Sequence, residues 1–212
     1  MSTNNNFIIQ VPNETSLELE RTSYELDREC MNCVRLITKN VPFMSVGTQH
    51  HVDALAEKVA YYDTLKDKLS ESVVMPAAID KWGPKVLVSW TLNFQTKNVT
   101  VEYINTENRS VYDSAIDVDV EFSERMRFLS IHTKTFDEIY DKIISTSPTL
   151  DTAAYKEFLD AKEALDNEYD EMKMKVRHTY IEPWIAEKFP GEDIRFDWSL
   201  TFADSKLTIT VE

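Results

Sequence analysis

Val86-Leu-Val-Ser-Trp90-Thr-Leu-Asn-Phe94, then Gln95-Thr-Lys-Asn98, then Val99-Thr-Val101-Glu-Tyr103, is the stretch that decides how this chain folds. Val86, Val88, Trp90, Leu92 and Phe94 alternate with Leu87, Ser89, Thr91, Asn93 and Gln95, and period two places each set on one face of a strand. β-Branched and aromatic residues fill the apolar set, as a half-buried strand requires. Four polar residues interrupt the alternation before it resumes at Val99, Val101 and Tyr103, so the stretch reads as a β-hairpin.

The same pattern returns at Ile194-Arg-Phe-Asp-Trp198-Ser-Leu-Thr-Phe202, Ala203-Asp-Ser-Lys206, Leu207-Thr-Ile209-Thr-Val211. Trp90 falls on Trp198, Phe94 on Phe202 and Val101 on Ile209, each 108 positions on. Upstream the match continues at an offset of 107: Tyr62 on Tyr169, Leu69 on Val176, Pro76 on Pro183, Trp82 on Phe189. Because apolar faces and helix-breaking prolines coincide together, the sequence predicts a tandem duplication of a unit of about 105 residues, too few copies for a solenoid. A pseudo-twofold arrangement of the copies is the expectation.

Each copy, 1–107 and 108–212, is expected to run strand, strand, helix, helix, short helical turn, hairpin. In the first, Phe7–Val11 is a strand, and Leu17–Glu20 is either its partner or the start of a helix. A helix is predicted from Thr22, with Thr22 and Glu25 as a capping box, and a second from about His51 to Ser70. In the second copy, Val118, Val120 and Phe122 alternate with Asp117, Asp119 and Glu121 as a strand, paired with Arg127–Thr133. Thr135 with Glu138 is its capping-box counterpart, and a long helix covers about Thr152 to Arg177. The fold class is α+β with antiparallel sheet.

Composition narrows the function. The net charge of −14 opposes direct binding to nucleic-acid phosphate or to anionic membranes. Three glycines, Gly47, Gly83 and Gly191, are too few for the loops that cradle phosphates, so nucleotide fingerprints are excluded. No apolar run reaches about 18 residues, and the first residues do not form an export signal, so a cytoplasmic protein is expected. Three tripeptides fit the glycosylation pattern, at Asn13, Asn98 and Asn108, without an export signal to give them meaning.

Cys30-Met-Asn-Cys33 has the Cys-x-x-Cys spacing, yet both cysteines share the apolar helix face with Leu26 and Ile37 and read as core thiols. As zinc ligands they would need two partners, and His50 and His51 are adjacent rather than three to five residues apart. The remaining histidines, His132 and His178, sit in no nucleophile–base pattern. The sequence therefore points to no catalytic residue, cofactor or metal.

What the sequence does offer is acidic surface, unevenly shared. Residues 1–107 carry 14 acidic and 10 basic side chains, and residues 108–212 carry 23 and 13. Two clusters hold the excess: Asp113, Asp117, Asp119, Glu121 and Glu124, then Glu157, Asp160, Glu163, Asp166, Glu168, Asp170 and Glu171 along the long helix. The leading expectation is a non-enzymatic, protein-binding regulator, inhibitor or assembly factor of the viral or phage host-takeover type, with a basic protein as partner. Two readings compete with it: a nucleic-acid mimic that blocks a DNA- or RNA-binding protein, and an enzyme or small-ligand receptor with its site between the copies, near His132, His178 or Cys33.

Overall fold

A computed structural model describes residues 6–83, 86–104 and 110–211. The fold is α+β with two separate antiparallel sheets. The succession is β1 (Asn6–Gln10), α1 (Asn13–Thr38), α2 (Val46–Leu69), a π-helical turn (Ser70–Val74), α3 (Met75–Trp82), β2 (Leu87–Asn93) and β3 (Asn98–Ile104). Then follow β4 (Ser110–Asp117), α4 (Val120–Thr146), α5 (Ala153–Val176), a second π-helical turn (Arg177–Ile181), α6 (Glu182–Lys188), β5 (Phe196–Thr201) and β6 (Lys206–Val211).

By contact the chain divides into two units, and the division cuts through α1 and α2. Residues 1–28 and 57–107 form the first; residues 29–56 and 108–212 form the second. In the first unit the strand order is β1-β3-β2, with β3 in the middle and Trp90 opposite Val101. Val99 and Val101 on β3 are completely buried and pack with buried Leu19, Leu65, Leu69 and Val74 from the helices. In the second unit the order is β4-β6-β5, with Trp198 opposite Ile209. Leu207 and Ile209 on β6 are buried with Met126, Leu129, Met172 and Val176. Both hairpins are thus where the alternation puts them. Asn108, one of the three glycosylation-pattern positions, and Pro84 lie outside the described residues.

Expected strands give way to helix, for one reason. Leu17–Glu20, open between strand and helix start, is helix, and both strands expected in the second half, Val118–Phe122 and Arg127–Thr133, give way to α4. Leu17–Glu20 belongs to α1, where Leu19 is fully buried while Leu17 is 52% exposed. Val120, Phe122 and Arg127–Thr133 belong to α4. Three or four alternating residues fit a helix as well as a strand, and the following turn decides. Asp119 decides here: its side chain accepts from Phe122 N–H at 3.1 Å and caps α4, so Phe122, Met126 and Leu129 turn inward at helical spacing. Asp117, Asp119 and Glu121 therefore do not share a strand face; they are the last residue of β4, the cap and the first turn of α4.

The capping boxes fail with the strands. Thr22 and Thr135 lie mid-helix, and their hydroxyls donate back to the carbonyls of Glu18 and Ile131, each at 2.8 Å. A threonine three residues before a glutamate is ambiguous, because its hydroxyl can serve the turn behind as well as the turn ahead.

The second long helix of each half, α2 or α5, ends in a π-helical turn followed by a proline, Pro76 or Pro183. Proline has no N–H and its ring crowds the carbonyl four residues back. Widening the preceding turn relieves that crowding, as the bond from Met75 N–H to Ser70 O and its counterpart from Glu182 to Arg177 show.

Within the second unit, the link between α1 and α2 is pinned by Phe43, 1% exposed, whose ring lies 5.5 Å from Phe136 and 5.2 Å from Phe158. Its backbone N–H donates to Glu157 Oε2 at 2.8 Å. Asn40, at φ 58°, accepts from Ala154 N–H at 3.1 Å, and Thr152 caps α5 while donating to Ile37 O. Phe43→Ala is expected to cost about 3–5 kcal/mol, measured as a lower urea midpoint, because three rings lose their common centre.

Candidate functional site

The acidic residues were the sequence's candidate surface, and the second unit assigns many of them internal work. Asp117 pairs with Lys206 at 2.7 Å, Asp166 with Lys162 at 2.7 Å and Asp170 with Lys173 at 2.6 Å. Glu168 pairs with Arg125, Asp119 caps α4, and Glu157 holds the backbone of Phe43. Asp113 lies in β4 with its side chain outside the described ones. Glu121, Glu124, Asp160, Glu163 and Glu171 are exposed and make no ion pair or hydrogen bond among the described residues. Asp160, Glu163 and Glu171 recur at the spacing of one α5 face, turned away from buried Phe158, Met172 and Val176.

The paired lysines show the local electrostatics. Lys162 sits between Asp137 and Asp166, each 2.7 Å away. Burial works to lower its pKa and the two carboxylates raise it, with a net upward shift. Lys206 is likewise held upward by Asp117. The Lys206 pair lies largely in solvent, where an ion pair contributes little stability.

The cysteines and histidines fall into structural settings. Cys30 lies about five turns into α1, because α1 begins at Asn13 rather than at the expected Thr22. Its thiol donates to Glu138 O at 3.3 Å, and both cysteines are buried and free. Burial pushes the Cys33 thiol up to about 12, with Cys30 and Glu29 adding to it. A low-pKa redox thiol needs the opposite environment. His51 Nδ1 is 3.0 Å from Glu29 Oε2, and His178 Nδ1 is 2.8 Å from Glu182 Oε2. The His132 ring packs on Phe128 with centroids 4.1 Å apart.

A feature the sequence reading missed is a cleft of about 700 Å³ in the second unit. One wall is β5 with its approach, from Ile194 to Leu200; the other is Tyr169 and Lys173 of α5, Arg177 just beyond, and Met126 of α4. Trp198, expected in the core, is only half-buried and lines this cleft. Lys173 Nζ lies 4.6 Å from the Tyr169 ring centroid and Arg177 Cζ 5.4 Å from that of Phe196. The available signal was positional: Arg177 and Arg195 lie 107 and 108 positions after Ser70 and Leu87, neither of which is charged.

Two outcomes follow for the buried groups. Iodoacetamide at about pH 8 should leave Cys33 unlabelled in the folded chain and label it in urea; fast labelling of folded protein would refute the raised thiol pKa. Burial, aided by Arg125 and opposed by Asp53, lowers the His132 pKa. The unfolded chain then binds the proton more readily, so this contribution to stability is present above about pH 6.5 and fades as pH falls. Urea midpoints measured against pH should lose that part of their slope in His132→Gln.

No family model matches the chain, and comparison with curated proteins and with solved structures gives no match.

Proposed function

We propose that this chain acts by binding another protein, with the uncommitted carboxylates of α4 and α5 forming the contact for a basic partner. The supporting observation is the separation of the acidic residues into two kinds. Those that neutralise lysine or arginine, or cap backbone, are spent within the unit. Glu121, Glu124, Asp160, Glu163 and Glu171 are exposed, and among the described residues no internal cation satisfies them. Keeping like charges on one surface costs stability, and a basic partner would recover that cost. The function is that of a regulator, inhibitor or assembly factor; the acidic character is also what a host-takeover protein or a nucleic-acid mimic would carry.

We infer in addition that the chain is a tandem duplication. Supporting this, every helix of the second half lies 107 positions after one of the first: α1 begins at 13 and α4 at 120, α2 at 46 and α5 at 153, α3 at 75 and α6 at 182. The two π-helical turns, at 70 and 177, keep the same interval. Val11, Leu19, Leu65, Leu69 and Val74 in one core correspond to Val118, Met126, Met172, Val176 and Ile181 in the other. The hairpin loops correspond as well: Lys97 O accepts from Val11 N–H at 3.0 Å and Ser205 O from Val118 N–H at 2.8 Å.

The test is a chain in which the five carboxylates are replaced, Glu by Gln and Asp by Asn. The affinity of a basic protein captured from the native host should fall about tenfold when the carboxylates are removed, and by a similar factor as salt rises from about 0.05 to about 0.3 M. Affinity unchanged in both comparisons removes the acidic face from the interface. The substituted chain should unfold at the same or a higher urea concentration, because five like charges are gone.

A further inference from the structure

The cleft beside Trp198 follows the one edge of β5 that β6 does not occupy. In the order β4-β6-β5, β5 ends the sheet, and its ladder runs only to β6, from Phe196 opposite Val211 to Thr201 opposite Lys206. In an antiparallel pair, alternate residues point their N–H and C=O groups away from the neighbour, so half of the β5 backbone groups face outward. Along this edge the structure leaves a cleft of about 700 Å³ between β5 and the facing side chains of α5. The inward row of β5, Phe196, Trp198 and Leu200, is half-buried, whereas Leu207 and Ile209 on neighbouring β6 are fully buried. Backbone donors and acceptors and unspent apolar surface therefore lie side by side.

The charge in this cleft opposes that of the chain. In a protein of net charge −14, the cleft is lined by Lys173, Arg177 and Arg195 with a single carboxylate, Asp197. Lys173 and Arg177 have exposed partners, Asp170 at 2.6 Å and Glu182 at 2.9 Å, which exchange at little cost. Arg195 is exposed and has no partner among the described residues. The corresponding edge of the first unit is β2, where Tyr62, Lys66 and Trp90 match Tyr169, Lys173 and Trp198. Ser70 and Leu87 stand there in place of Arg177 and Arg195, so the added cations are particular to β5.

We propose that the free edge of β5 captures an extended segment of a partner protein carrying both apolar and acidic side chains, which adds to the sheet as a fourth strand. Main-chain hydrogen bonds to β5 supply affinity without regard to sequence. Specificity comes from side chains at period two: apolar ones cover Trp198 and Leu200, and acidic ones reach Arg177 and Arg195 at the Phe196 end. A basic segment is rejected by the three cations, so this surface selects a partner opposite in sign to the one that fits the acidic face of α5. The two sites can fail independently.

The probe is an array of acetylated and amidated octapeptides permuting Glu, Val and Leu, with a matched set bearing Lys for Glu, titrated against the full chain. Glu-containing members should bind at least about tenfold more tightly than their Lys counterparts. N-methylation of alternate backbone nitrogens in the best binder, on the side that pairs, should cost a further factor of about ten or more, because it removes ladder donors and leaves charge untouched. The double substitution R177E/R195E should reverse the Glu-over-Lys preference while the circular dichroism spectrum stays unchanged; Lys66→Glu, beside β2, should leave it intact and so controls for general charge. The proposal is overturned by any of four results: no octapeptide binding at millimolar concentration, equal binding of Glu and Lys sets, indifference to N-methylation, or a second copy of the chain occupying β5, seen as a dimer that the peptides do not dissociate.

Discussion

Each sheet depends on one middle strand whose inward side chains touch no water. Val99 and Val101 in β3, and Leu207 and Ile209 in β6, are completely buried, with a strand on either side and helices over one face. A three-stranded sheet supplies too little apolar surface to stand alone, so burial of these side chains requires the helices that cover them. The covering residues come from the end of the second long helix and the beginning of the first: Leu65 and Leu69 with Leu19, or Met172 and Val176 with Met126. The π-helical turn and its proline then redirect the chain into the short helix, whose Ala78 completes the core in the first unit. Removing bulk from the middle strand would uncouple the sheet from its helices, whereas removing it from an edge strand affects one flank.

That distinction between middle and edge explains what could be read from the residues and what could not. The hairpins were legible because alternation persists over nine residues and then resumes after a polar turn. The long helices were legible because their apolar positions recur over five or six turns. Short alternations were not: Leu17-Glu-Leu-Glu and Val118-Asp-Val-Glu satisfy either period, and Asp119, read as part of a strand face, is the residue that starts α4. Periodicity also says nothing about position within a sheet. Trp90 and Trp198 carry the pattern of core residues and do pack against the cores, yet each lies on an end strand and stays half-buried. A strand's neighbours are set by the fold, so the open edge at Trp198 had no local signature.

Charge shows the same limit. Counting acidic side chains correctly locates the excess in the second half, but a count does not separate a carboxylate that has a task from one that has none. Glu157 is exposed by area and still holds the backbone N–H of Phe43, and Asp119 is exposed and still caps a helix. Only once these bonds are known do Glu121, Glu124, Asp160, Glu163 and Glu171 emerge as uncommitted. The same sorting applied to the cations matches Arg125, Lys156, Lys162 and Lys173 of α4 and α5 to neighbouring carboxylates.

Arg195 has no partner among the described residues, and its position gives that fact weight. An isolated arginine on a helix surface would be unremarkable. This one stands at the entry to an end strand, facing a cleft that already holds two cations against aromatic rings. Charged residues at strand edges commonly block unwanted pairing, and a cation does so by repelling other cationic edges. On a chain with net charge −14 that device is weak against the chain's own copies, whose acidic surfaces are attracted rather than repelled. A carboxylate at this position would have protected the edge better. Arg195 and Arg177, at positions 108 and 107 residues after Leu87 and Ser70, place at the β5 edge the charge that attracts acidic segments, which is the reverse of what protection alone requires.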